Sequence, residues 1–179
     1  MLIRLAPDMF VDRKFDCVTS AVVLKEIYQT QRFKDRYPWR NQYKSKIMTN
    51  TDLVALGKKF EMTLKAINNM IFSGTFNQKS NKCFDLSGAD QTLAALAVSN
   101  EFDLCSIDVN LVQFLEQEFD CNNLSPLALY NNWLENKILK YLPEHAKIFT
   151  DWKTCREKPQ PLSEIQRFNK LTGVSYLGS

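Results

Sequence analysis

The sequence predicts an α/β fold, a parallel sheet flanked by helices, with a helical C-terminal extension, and three observations carry that reading. Strand-like and helix-like runs alternate through the first two thirds of the chain, the order expected of a parallel sheet with covered faces. The stretch Leu86 to Phe119, LSGADQTLAALAVSNEFDLCSIDVNLVQFLEQEF, places Asp90 in the first turn of a helix and Asp108 directly after a strand. A chain of 179 residues, 45% hydrophobic and 24% charged, can bury one core with a small appendage. The division expected is a main domain over residues 1–124 and an extension over 125–179.

Phe15 to Thr19 is β-branched and reads as a short strand. A helix then opens near Ser20, a plausible N-cap, and carries Val23 and Ile27 on successive turns. RFKDRYPWRNQYKSK is basic and aromatic, with Pro38 as a breaker. From about Asn50 to Phe72, the spacing of Leu53, Leu56, Phe60, Leu64, Ile67 and Ile71 predicts one amphipathic helix, with Lys58, Lys59 and Lys65 largely off its apolar stripe. SGTFNQKSNKCFDL reads as a loop. Ser87 and Asp90 then form a capping-box-like start for a helix reaching about Ser99, whose alanines suit close packing on a sheet. Phe102 to Ile107 is a predicted strand and Asn110 to Phe119 a helix. Beyond Asn122 the expected pieces are a helix from Pro126 to Leu142 stopped by Pro143, a second from Glu144 to Trp152, and a short amphipathic segment holding Ile165, Phe168 and Leu171.

Composition narrows the function classes. No apolar run approaches the roughly 18 to 20 residues that cross a bilayer, and MLIRLAPDMFVDRKF is too short and too charged for a signal peptide, so a cytoplasmic protein is expected. Five widely spaced cysteines without a CxxC pair speak against a disulfide framework and a cysteine zinc site. His145, the single histidine, has no matching partner, which disfavours a nucleophilic triad and a histidine metal site, and reads as a surface residue after Pro143. Charge is segregated: residues 31–82 hold eleven basic and three acidic side chains, whereas 83–124 hold eight acidic and none basic. A fold joining the two halves sets a carboxylate cluster beside a positive surface.

In an open parallel sheet, functional groups gather at the carboxyl ends of the strands. Asp108 ends a strand, Asp90 opens a helix, and Glu26 lies on the helix after the first recognisable strand, where it can face the same crevice. Three converging carboxylates repel one another without a cation. Oxygen ligands of this kind suit Mg²⁺ or Mn²⁺, which could stabilise charge on a phosphodiester under in-line attack.

VTSAVVLKEI, followed by LSGADQTLAALAV and DLCSIDVNL, resembles the PIN domain, a family of metal-dependent ribonucleases that includes bacterial toxin components. The resemblance covers about residues 1 to 122 and implies a three-layer fold. It also implies metal-holding, catalytic roles for Glu26, Asp90 and Asp108, with Ser106 and Asn110 in support. It departs from the family at the start, where a strand ending in an aspartate, often within a DTN-like triplet, is expected. MLIRLAPDMF is similar to the residues after that triplet, so residues 1–124 read as a PIN-like domain incomplete at its N-terminus. Asp8 follows a proline with no strand leading into it and is a poor replacement. The activity implied is cleavage of single-stranded RNA, impaired without the first aspartate. The alternative is an inactive PIN-like module that binds RNA or protein, and a plain α/β interaction domain is a further rival. The partners implied are RNA, an antitoxin protein for a toxin-type member, and a second copy of the chain.

Each of these residues also has a plain structural reading. Asp90 at the third helical position favours the helix dipole by about 0.3 to 1 kcal/mol; Asp108 is placed to be an N-cap; Glu26 and Asn110 can be solvated helix residues. For nucleic-acid contact the candidates are Arg32, Lys34, Arg36, Trp39, Arg40 and Lys44, drawn from a segment whose Phe33, Tyr37, Trp39 and Tyr43 alternate with cations. Cations neutralise phosphates and exposed rings stack on unpaired bases. The alternative is a solvated loop whose rings pack on the core.

Overall fold

The computed structural model describes residues 2–10, 17–46, 49–50, 57–155 and 159–178, with only the backbone of Thr49 and Asn50. Helices predominate and the strands are few and short. In chain order the elements are α1 (Leu2–Leu5), β1 (Thr19–Ser20), α2 (Ala21–Gln29), α3 (Gln31–Arg36), β2 (Thr49–Asn50), α4 (Gly57–Phe72), β3 (Phe76–Asn77), β4 (Lys82–Cys83), α5 (Gly88–Asn100), β5 (Leu104–Cys105), α6 (Val109–Phe119), β6 (Asn123–Leu124), α7 (Pro126–Glu135), α8 (Pro143–Thr154) and α9 (Leu162–Thr172). The described residues also include two 3-10 helices, Pro7–Phe10 and Pro38–Lys46. No described helix is long and apolar enough to cross a membrane.

The chain separates into two compact units, neither continuous in sequence: Met1–Val18 with Tyr28–Met48 and Leu124–Ser179, and Thr19–Ile27 with Thr49–Asn123. The second unit carries the carboxylates of interest. Its core joins Phe60 and Ile67 of α4, Ala94, Ala95 and Leu96 of α5, Leu104 of β5, and Leu111, Phe114 and Leu115 of α6, closed by Phe84 and Leu86. The four-residue and three-residue steps between Phe60, Leu64, Ile67 and Ile71 set one apolar stripe on α4, leaving Lys58, Lys59 and Lys65 exposed. Small side chains on α5 let α4 lie close along it, so the alanine face meets a helix as well as β1.

The sheet differs from the expectation. β1 and β2 pair in parallel over two residues, with Thr19 opposite Thr49 and Ser20 opposite Asn50. Two other two-stranded ladders, β3 with β4 and β5 with β6, stand apart from it. The run Phe102 to Ile107 contracts to Leu104–Cys105 because Leu104 alone is buried there. The segment read as a loop after α4 is an antiparallel hairpin, Phe76 opposite Cys83 and Asn77 opposite Lys82. Gly74, at φ +75°, ends α4 in the left-handed region, and the Thr75 N–H reaches back to Met70 O at 3.0 Å. Asn77 is 1% exposed; its Oδ1 accepts from Lys79 N–H at 2.9 Å and Ser80 N–H at 3.2 Å, which closes the turn.

The other unit is held by an aromatic hub. Phe149 lies between 5.1 and 5.4 Å, centroid to centroid, from Tyr130, Trp152, Phe168 and Tyr176, and such edge-to-face pairs add about 0.5–1.5 kcal/mol each beyond area burial. Ser125 caps α7 by accepting from Ala128 N–H at 3.1 Å, with Pro126 in the first turn. The helix ends at Glu135, seven residues before the expected stop at Leu142, where Lys137 adopts φ +57° and Ile138 N–H returns to Trp133 O at 2.9 Å. Pro143 therefore begins α8 rather than ending α7.

His145 is also placed differently from the sequence reading. It is 4% exposed, beneath Tyr130 and Tyr141. Its Nδ1 accepts from Leu142 N–H at 3.4 Å, so the Tyr130 hydroxyl at 2.7 Å donates to the same nitrogen and the ring is neutral. Burial pushes the imidazole below its ordinary 6.5, partly opposed by Glu144. The unfolded chain thus binds more protons at mildly acid pH. Stability is complete above about pH 6.5 and falls as pH drops through the folded value; denaturant melts across that window should show the decline, and His145→Gln should flatten it. In the second unit, Ile67→Ala should cost about 2–5 kcal/mol, whereas exposed Met62→Ala should stay within about 0.5 kcal/mol in urea melts.

Candidate functional site

The three predicted carboxylates all lie in the second unit, and local helix chemistry determines what each does. Ser20 is fully buried and its Oγ accepts from Val23 N–H at 3.1 Å, which starts α2; Glu26, two turns on, is exposed. Asp90 completes a reciprocal box at the start of α5. Its Oδ2 accepts from Ser87 N–H at 3.2 Å and Ser87 Oγ–H at 2.7 Å, while Ser87 Oγ accepts from Asp90 N–H at 3.2 Å. Asp108 caps α6, its Oδ1 accepting from Asn110 N–H at 3.0 Å and Leu111 N–H at 3.1 Å.

Ser106 Oγ accepts from the backbone N–H of Asp108 at 3.1 Å. Sequence reasoning missed the residue behind it, Asn123, whose side-chain amide accepts from Ser106 N–H and donates to Ser106 O, both at 3.3 Å. No spacing signal links positions seventeen apart; only the return of the chain beside β5 does. Asn110 is exposed and contributes its backbone N–H to the cap.

The caps occupy one oxygen of each aspartate. Asp90 Oδ1 and Asp108 Oδ2 accept no hydrogen bond from a described residue. Among the described residues, however, no group of three or more histidine, cysteine, aspartate or glutamate side chains is placed to hold a metal ion. Glu26, Asp90 and Asp108 are not gathered into such a group.

The basic aromatic segment lies in the other unit. Its rings touch in series: Phe33 stacks on Tyr37 at 5.8 Å, Tyr37 meets Trp39 edge-on at 5.6 Å, and Trp39 meets Tyr43 at 5.9 Å. Guanidinium and ammonium groups lie over them, Arg36 at 5.4 Å from Tyr37, Arg4 at 4.9 Å from Trp39 and Lys44 at 5.4 Å from Tyr28. Arg32, Lys34 and Lys44 are exposed, Arg36 and Trp39 half-buried. Arg40 is not a surface cation: it is 8% exposed, and its Nη1 donates to Lys34 O and Tyr37 O, both at 3.2 Å. It holds the turn that presents the other five. Arg32, Arg36 and Trp39 also line a cleft of about 870 Å³ with Asp151, a residue the sequence pattern did not single out.

Compared with protein-family models, curated proteins and solved structures, the chain matches none.

If capping is the duty of Asp108, Asp108→Ala should lower stability by about 0.5–2 kcal/mol and Asp108→Asn by much less, since Asn caps as well. Equal losses in equilibrium denaturation would show that the carboxylate charge, rather than the cap, is what the fold requires.

Proposed function

We propose that this chain is a PIN-like protein that binds single-stranded RNA through the segment from Tyr28 to Lys46, without depending on metal-driven cleavage. The observation that carries this reading is the series of touching rings from Phe33 to Tyr43 bordered by the exposed cations Arg32, Lys34 and Lys44. Cations at the border attract phosphates, and half-buried rings offer edges and partial faces to unpaired bases without losing their packing. The buried Arg40 supports the same reading, because it braces the turn from inside and leaves the outer cations for a ligand. The family likeness rests on the parallel β1–β2 pair leading into α2, and on the post-strand Asp108 with Ser106 behind it.

Cleavage of that RNA by a PIN-type Mg²⁺- or Mn²⁺-dependent mechanism is a second reading, favoured by the open oxygens of Asp90 and Asp108 at two helix starts. One experiment separates the two. Anisotropy of a short labelled single-stranded RNA should show binding by the full chain, and the combined Arg32→Ala, Lys34→Ala and Lys44→Ala changes should flatten the dependence of log K on log salt by about 2, at about 0.7 per lost phosphate contact. An unchanged slope would remove the segment from the interface. RNA breakdown that requires added Mg²⁺ or Mn²⁺ and vanishes in Asp108→Asn would move the conclusion to the nuclease.

A further inference from the structure

Three rings of the basic aromatic region carry a cation over one face: Tyr37 under Arg36, Trp39 under Arg4 and Tyr28 under Lys44. Two of those cations are tied down. Arg36 Nε donates to Cys155 O, and Arg4, largely buried, donates from Nη2 to Asp151 Oδ2 at 2.8 Å. Lys44 differs. It is exposed, and its ammonium makes no hydrogen bond or ion pair with a described residue, so the Tyr28 ring is all that holds it.

The ring beneath Lys44 is fixed, whereas its cover is not. Tyr28 lies half-buried in the last turn of α2, and its hydroxyl donates to Arg40 O at 3.1 Å. Arg40 is itself clamped, with Nη1 donating to Lys34 O and Tyr37 O. An exposed ammonium 5.4 Å from the ring centroid marks the covered face of Tyr28 as the one turned to solvent. A lone lysine on a ring in water gains less than an unpaired base stacked there. The displaced ammonium can then neutralise a phosphate of the same strand and release its counterion. Exchange of lysine for base is favoured at both ends, and it needs only one flexible side chain to move.

We infer that Tyr28 is a further base-stacking ring of the RNA site, and that Lys44 is its displaceable cover, passing from the ring to a phosphate as RNA binds. The inference rests on the RNA-binding reading and adds to it a ring outside the series from Phe33 to Tyr43. It is tested with the full chain by anisotropy of a labelled single-stranded RNA over a range of salt. The slope of log K against log salt reports phosphate contacts, and the affinity extrapolated to 1 M salt reports stacking. Lys44→Ala, an exposed change, should flatten the slope by about 0.7 yet raise the affinity at 1 M salt about threefold, because the ring is already uncovered. Tyr28→Leu, which keeps an apolar side chain but no aromatic face, should leave the slope unchanged and lower that affinity about tenfold. A plain surface lysine gives the opposite sign: an affinity at 1 M salt that is unchanged or lower in Lys44→Ala would overturn the cover, and an unchanged slope would overturn its move to phosphate. Tyr28→Leu binding as tightly as the parent would overturn the stacking role. Each of these results leaves the RNA reading standing, whereas a parent chain that binds no RNA would overturn both.

Discussion

A helix begins with N–H groups that have no acceptor within it, and in a chain whose cores are built mainly from helices that demand governs where short polar side chains must stand. Ser20, Ser87, Asp108 and Ser125 meet it at the starts of α2, α5, α6 and α7. These four positions fix where the helices begin and therefore which residues turn inward. With Ser87 at the cap, Ala94, Ala95 and Leu96 face α4 and β1; with Asp108 at the cap, Leu111, Phe114 and Leu115 enter the same core. The capping requirement also bears on function, since two of the carboxylates suited to ligand chemistry already carry a helix start on one of their oxygens.

The two units solve burial differently. The unit with Asp90 and Asp108 sets the small side chains of α5 against α4, which permits close approach, and fills the remaining space with aliphatic side chains and Phe60, Phe84 and Phe114. The other gathers large rings around Phe149 and then extends outward into a second series of rings among cations at its surface. Both series use edge-on contacts, but the inner one excludes water and the outer one keeps partial exposure. That gradient separates a hydrophobic anchor from a surface able to meet a ligand. The charge segregation seen along the chain is only partly kept in the fold: the basic aromatic residues lie in one unit, but Lys58, Lys59, Lys65, Lys79 and Lys82 share the other with the acidic helix starts, where Lys59 pairs with Glu101 and Lys79 with Glu116.

Helix positions were legible where a cap and a periodic stripe agreed. α5, α6 and the described part of α4 follow the spacing closely, because capping oxygens and the 3.6-residue repeat are local properties. Strand Phe15 to Thr19 and the Leu53 and Leu56 positions fall wholly or partly outside the described residues. The hairpin at Phe76 to Cys83 carries no strand signal in sequence because its two-residue strands are too short to alternate, and its turn depends on buried Asn77, whose Nδ2 also reaches Gln113 at 2.9 Å. α7 ended early because a left-handed residue at Lys137 carries no warning comparable to glycine.

What the sequence by itself determined was local: which residues cap, which faces of the helices are apolar, where basic and aromatic side chains concentrate, and that Asp90 and Asp108 stand at helix starts. Tertiary structure alone decided that His145 and Arg40 are buried, that Asn123 braces Ser106, and that Arg4 and Asp151 come to Trp39. It also decided that short ladders replace a broad sheet among the described residues. The physical reason is that capping and periodicity act within a few residues. Burial of a lone polar side chain, and pairing across more than a hundred positions, as between Arg4 and Asp151, exist only once the chain has folded back on itself.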